Sequence, residues 1–199
     1  MLFEHMGSQP KIDPTAVIAP SAVISGDVTI GPECQVLHGA VITAEGGPIV
    51  IGSSVIVMEN ALIRASAVHP VHIGDHTLVG PMVSIAGAVI APEVYLATGV
   101  RVFNGARIDS GCEVRINAVV HLRTHLPERT VVPIGWVAVG DPLQVLPATE
   151  REQIWLARQD LDFPGYVFGL DRDTPDLMVQ LTERYGRGLA RHADDRQID

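Results

Sequence analysis

The chain has 199 residues, 47% of them apolar and only 5% aromatic, with 19 glycines and 14 prolines, so its core is aliphatic and it turns often. A formal charge of −9 without a Lys/Arg cluster argues against nucleic acid or an anionic membrane as partner, since both need a basic face. Two cysteines exclude a disulfide-stapled scaffold, and no apolar run approaches the roughly 20 residues of a membrane-spanning helix.

Residues 1–15 read as an N-terminal extension. They lack the basic start and apolar run of a signal peptide, so the cytoplasm is the expected compartment. Within them, His5-Met6-Gly7-Ser8 looks like an appended tag and is given no structural weight.

From Ala16 the sequence falls into blocks of six: AVIAPS, AVISGD, VTIGPE and onward to the block that starts at Ala118. Gly46-Gly47-Pro48 and residues 67–70 interrupt the count, and the block from Val83 is one residue short. In every block the third residue is aliphatic, as at Ile18, Ile42, Ile63, Ile85, Val102 and Val120. Alternation within a block marks a short strand with its odd positions inward, and Gly, Pro, Asp and Ser near block ends supply turns. β-branched residues in a strict six-residue register suit no helix. The expected fold is therefore an all-β solenoid, whose coils pair through parallel strands over residues 16–145. With three blocks per coil, both interruptions fall at one corner of a triangular prism, and insertions in repeat proteins gather on one face. Cys34 and Cys112 occupy first positions and read as small core residues.

After Arg123 comes a polar excursion, 124–129, and a further coil over 130–141. Residues 146–190 are expected to be helical. Thr149-Glu150-Arg151-Glu152 has a capping-box pattern. It opens a helix whose Ile154, Trp155 and Leu156 would pack along the prism and which Phe163-Pro164-Gly165 would end. A second helix over 174–190 carries Leu177, Leu181, Tyr185 and Leu189. Residues 191–199 read as a flexible tail. The repeat, 16–120, is poor in charge, which points to burial against other subunits with cyclic symmetry.

These hexads resemble the left-handed β-helix, or hexapeptide-repeat, superfamily, and within it the γ-class carbonic anhydrase branch. Ala40-Val41-Ile42-Thr43-Ala44-Glu45 sits where that branch has an A-V-x-R-G-D segment. The stretch from Ile49 to Arg64 sits where it has I-G-x-x-x-N-x-Q-D-x-x-V-x-H. Val79-Gly80-Pro81 through Ala86-Gly87 sits where it has I-G-H-x-x-x-x-H-G. Ala138-Val139-Gly140-Asp141-Pro142 is similar to its exit into a C-terminal helix. The resemblance implies a left-handed solenoid and a homotrimer with sites between subunits. It also implies zinc held by three histidines, at positions that are Arg64, Pro81 and Ala86 here. The family's Arg and Gln positions are Thr43 and Met58, and its acidic pair appears as Glu45 and Glu59. Proline and alanine offer a metal no donor atom, so the expectation is no metal, no other cofactor and no carbonic anhydrase chemistry by the usual route.

On the three-face register Thr43, Arg64, Ala86, Phe103 and His121 share one column. Glu59 and Pro81 lie on the neighbouring face, which a trimer would turn toward that column. The expected inter-subunit groove takes a small anionic or carbonyl ligand. It is lined by Thr43, Glu45, Met58, Glu59, Arg64, Pro81, Ala86 and Phe103. Glu59, Arg64 and His69 are its candidate catalytic groups, with His69 reaching in from the corner loop. Arg64 keeps positive charge at a vacated cation position and its fork suits a carboxylate. The competing reading is an Arg64–Glu59 ion pair that holds subunits together and binds nothing, which makes the protein a non-catalytic assembly element. A third reading is a hexapeptide-repeat acyltransferase, for which His69 is the one loop histidine. His72, His76, His121 and His125 do not converge on a relocated metal site in this register.

Overall fold

The computed structural model describes residues 1–159 and 161–198. Three sheets, parallel except for the outermost pair at each end of the largest, wind into a left-handed triangular β-helix, one of ten strands and two of seven. The ten-stranded face includes Val23–Ser25, Val41–Glu45, Leu62–Ser66, Ser84–Ala86, Arg101–Val102 and Val119–Val120. Down its inside, Ile24, Ile42, Ile63, Ile85, Val102, Val120 and Ala138 pair coil by coil. Each is at most 2% exposed. The third residues of the blocks are thus a continuous aliphatic ladder, as their spacing predicts.

The sixth residue of a block turns the corner. Glu33, Ser54, Asn60, His76, Met82, Glu93, Asn117 and Arg123 all stand at positive φ, and Gly39, Gly99, Gly105 and Gly111 fill equivalent corners. That conformation is costly for any residue with a Cβ, by about 1–2 kcal/mol, and stacking of each coil on the next offsets the cost. Cys34 and Cys112 are buried as free thiols, and burial pushes both up from the ordinary thiol range.

The solenoid starts earlier than Ala16. Leu2–Glu4 pairs in parallel with Val23–Ser25, and Lys11–Ile12 with Val28–Ile30. Residues 6–9 form a corner insertion of the same kind as 67–70: His5 bridges Ser8 just as Ser66 bridges His69. The first fifteen residues are therefore one more coil rather than an extension, and His5 is 2% exposed. The further coil at 130–141 is present, as Val131–Val132 and Trp136–Val139, and a hairpin to Gln144–Pro147 closes that end.

Helix α1 (Arg151–Arg158) begins without a side-chain cap, so the capping box does not form. Trp155 and Leu156 are 52% and 60% exposed instead of packing along the prism. A π-turn occupies Pro164–Phe168, and helix α2 (Leu177–Leu189) follows. The C-terminal segment is ordered by pairing. Ala190–Asp194 is a 3-10 turn, and Arg196–Gln197 pairs antiparallel with Leu2–Glu4. Asp199, the end of the expected flexible tail, lies outside the described residues. No helix among the described residues is long and apolar enough to cross a membrane.

Deleting ladder volume tests the register directly. Ile63→Ala is expected to cost about 2–5 kcal/mol in chemical denaturation. Val17→Ala, on a side chain 64% exposed, is expected to stay within about 0.5 kcal/mol.

Candidate functional site

On the outside of the ten-stranded face, Ser25, Thr43, Arg64 and Ala86 stand in one row, because Ser25 pairs with Thr43, and Arg64 with both Thr43 and Ala86. Further along that face the Phe103 and His121 rings stack 5.9 Å apart. The column expected from the sequence is therefore present, and Ser25 extends it by one coil.

Glu45 is the hub of this surface, with a side chain 15% exposed. Its Oε1 accepts the Thr43 hydroxyl at 2.9 Å, lies 3.4 Å from Arg64 Nη2 and 3.0 Å from His192 Nε2. Arg64 also lies over the Tyr185 ring, 5.4 Å from its centre. Within the chain, then, the carboxylate beside Arg64 is Glu45, not Glu59. Met58, Glu59 and Pro81 follow Ile56–Val57 and Leu78–Val79 at the corner where the chain enters the ten-stranded face. Glu59 is exposed there, with its carbonyl accepting Met82 N–H at 3.0 Å.

Helix α2 covers the Arg64 end of the row and encloses a cavity of about 390 Å³. Arg64, Arg184 and Arg191 line it, with Glu45 as its one carboxylate among the described residues, alongside apolar side chains that include Phe168 and Leu181. Ala86 lines it as well, whereas Thr43, Met58, Glu59, His69, Pro81 and Phe103 do not. The pocket is built within one chain, between sheet and helix, rather than by a subunit boundary. His69 packs beside it: 8% exposed, its ring 4.7 Å from Tyr166 and its Nε2 3.2 Å from the Tyr166 carbonyl. Gly87 makes that possible. It stands at φ +49, and a Cβ there would come within 2.3 Å of His69 Cβ. The shortened block thus makes room for the corner loop of the preceding coil.

Of the other histidines, His72 is exposed, and His125 pairs with Asp109 at 2.8 Å. His121 is held below the ordinary histidine range, first by burial and then by Arg158, and its Nδ1 is buried without a hydrogen-bond partner. The group that sequence reasoning missed joins the two ends of the chain. Asp195 lies 2.6 Å from His5 Nδ1 through Oδ1 and 2.8 Å from His192 Nδ1 through Oδ2. The two imidazoles stack with centres 4.4 Å apart. The hydrogen bond to Asp195 leads in raising His192 above its ordinary range, helped by the Glu45 charge and opposed by burial. Burial pushes the Asp195 carboxyl up, but the two histidines more than offset it and leave it lowered. A signal for His5 did exist: Leu2 and Ile12 fit the hexad ladder once residues 6–9 are counted as a third corner insertion.

The fold is that of a hexapeptide-repeat β-solenoid. A solved hexapeptide transferase family protein from Anaplasma phagocytophilum superposes with TM-score 0.59 at 20% identity, covering 94% of this chain and 97% of that one, which shows the fold alone. No family model matches the sequence. It is 27% identical over 159 residues to "Gamma carbonic anhydrase 1, mitochondrial" of Arabidopsis thaliana, covering 77% of this chain and 56% of that protein. It is 31% identical over 111 residues to "Carbonic anhydrase" of Geobacillus kaustophilus (strain HTA426), covering 56% and 61% respectively. The chain thus spans a little over half the length of these curated relatives. The expected kinship with the γ-carbonic-anhydrase-like branch of the left-handed β-helix superfamily holds.

Two outcomes check the site. Glu45→Ala leaves Arg64 without its carboxylate and His192 Nε2 without its partner, and is expected to cost about 1–3 kcal/mol. It should also speed tryptic cleavage after Arg191 and Arg196. His121 has a folded pKa below its unfolded one, so its contribution is complete above about pH 6.5 and is lost as pH falls through the folded value. His121→Phe is therefore expected to lose less stability than the parent between pH 7.5 and 5 in thermal melts.

Proposed function

We propose that this chain is a γ-carbonic-anhydrase-like solenoid without the family's zinc centre, whose Arg64 pocket holds a small anionic or carbonyl-bearing ligand. At the three positions where the resemblance implies histidine, Pro81 and Ala86 have no donor atom, and Arg64 is engaged by Glu45 and Tyr185. Zinc takes nitrogen, sulfur or carboxylate ligands, so this set does not fit it.

The observation that carries the reading is the charge balance of the cavity. Three guanidinium side chains face about 390 Å³ that contains one carboxylate, in a chain of formal charge −9. Much of their donor capacity is unspent. Arg184 Nη1 donates to the Gly169 carbonyl at 3.1 Å, and Arg191 Nη1 is 3.7 Å from Met6 Sδ, a weak acceptor. A planar oxyanion would receive paired N–H donors from Arg64, while Phe168 and Leu181 exclude water around it. The homotrimer belongs to this proposal too. It would turn the Glu59–Pro81 edge of a neighbouring chain toward the Arg64 row, and only there would Glu59 join acid–base chemistry at the pocket.

A second reading, a non-catalytic assembly element, is favoured by one observation: Arg64 is already paired, to Glu45 at 3.4 Å. Acyl transfer is disfavoured because His69 is buried and hydrogen-bonded to the Tyr166 carbonyl.

Thermal-shift titration with bicarbonate, acetate and short keto acids separates these readings. A rise in Tm with at least one of them, abolished in Arg64→Ala and Arg184→Ala, is the expected result, together with CO2 hydration no faster than buffer. The proposal fails if no anion shifts the melt, or if the purified protein hydrates CO2 in a zinc-dependent manner.

A further inference from the structure

We propose that His5, His192 and Asp195 form a site for one divalent transition-metal ion of the zinc type, which clips the C-terminal segment onto the first coil. The three residues each present a ligand atom, and these atoms lie within 4.8 Å of one another. They come from opposite ends of the chain, His5 and Asp195 being 190 residues apart. The site is separate from positions 64, 81 and 86 and lies beyond the pocket reading.

Two arrangements favour metal over a plain ion-pair cluster. First, both Nδ1 atoms face the same carboxylate, at 2.6 and 2.8 Å. A tetrahedral ion with bonds of about 2.0–2.2 Å would sit between nitrogen and oxygen after these gaps open to about 3.3 Å, a shift within side-chain freedom. The far nitrogen of His192, Nε2, lies 3.0 Å from Glu45, whose carboxylate would accept its N–H and fix the tautomer that leaves Nδ1 free for the ion. Second, Ser25 is 5% exposed and its Oγ has no hydrogen-bond partner. It lines the same shallow cleft as Thr43, Glu45, His192 and Asp195. A buried hydroxyl without a partner calls for a water or an ion nearby. A metal-bound water at the fourth position would satisfy it. Two imidazoles and a carboxylate suit zinc and its transition-metal neighbours and exclude magnesium and calcium, which prefer oxygen ligands throughout.

The test uses the full chain, stripped with chelator and titrated with zinc by calorimetry near pH 8, where imidazoles surrender their protons. Cobalt(II) absorption serves as a second readout of tetrahedral nitrogen ligation. One ion per chain is expected, with a raised Tm and slower tryptic release of the C-terminal segment. Binding should be lost in His192→Ala and Asp195→Asn and unchanged in the surface control His125→Ala. Glu45→Gln should weaken it by about 10–100-fold. His192→Gln, with circular dichroism of both His192 variants, guards against a folding defect. Absence of binding overturns the proposal, as does binding that His192→Ala and Asp195→Asn leave intact. In that second case the ion sits elsewhere, and zinc at positions 64, 81 and 86 would count against the proposed function instead.

Discussion

Everything in this molecule depends on stacking one aliphatic side chain on another at a six-residue interval. Ile42, Ile63 and Ile85 occupy the same height in successive coils, and the backbone between them has little choice but to form a strand, a turn and a strand again. Each coil has no core of its own, so its apolar face is stable only against its neighbours. The energetic reward is collective. A fully buried Ile or Val contributes roughly 1.5–3 kcal/mol, which outweighs the left-handed corner residues. That rigidity fixes the outward side chains as well: once Ile63 is inside, Arg64 is outside, one pitch from Thr43 and one from Ala86.

The same register decides where irregularity is tolerated. Extra residues at 6–9, 46–48 and 67–70 leave the ladder untouched because they leave the prism at a corner. His5 ends up over Glu45 through the first of these, and His69 against Tyr166 through the last. The C-terminal segment then returns along the ten-stranded face, passes over Arg64 with Tyr185, and ends as a strand beside Leu2–Glu4. A single carboxylate, Glu45, links the row of the repeat to this returning segment. The cavity and the cluster at the chain ends therefore adjoin, with His5 and Glu45 lining both.

The solenoid, its three faces, the Thr43–Arg64–Ala86 row and the buried cysteines were legible in the sequence because a strict period constrains each of them. What lay outside the period was not. His5 sat before the first recognised block, since a four-residue insertion and Pro10 at a first position masked the opening coil. His192 and Asp195 belong to a polar stretch whose order comes from tertiary pairing with the first strand, which local propensity does not report. Glu59 looked like the partner of Arg64 when positions were compared between faces. In the chain, Glu45 lies two residues beyond Thr43 on the strand beside Arg64 and reaches it first. The helices show the same division. Their existence followed from periodicity, but α1 leaves Trp155 half exposed, covered by the Arg158 guanidinium 4.9 Å from its ring centre rather than by the prism.

The central proposal is that the Arg64 guanidinium, at a position where the family resemblance implies a metal ligand, serves an anion. A crystal structure grown with a small carboxylate tests this most directly. The account predicts planar density with two oxygens within hydrogen-bond distance of the Arg64 guanidinium, beneath Tyr185. A metal ion held near Pro81 and Ala86, or an Arg64 fork fully closed on carboxylates of the protein with no ligand beside it, would contradict it.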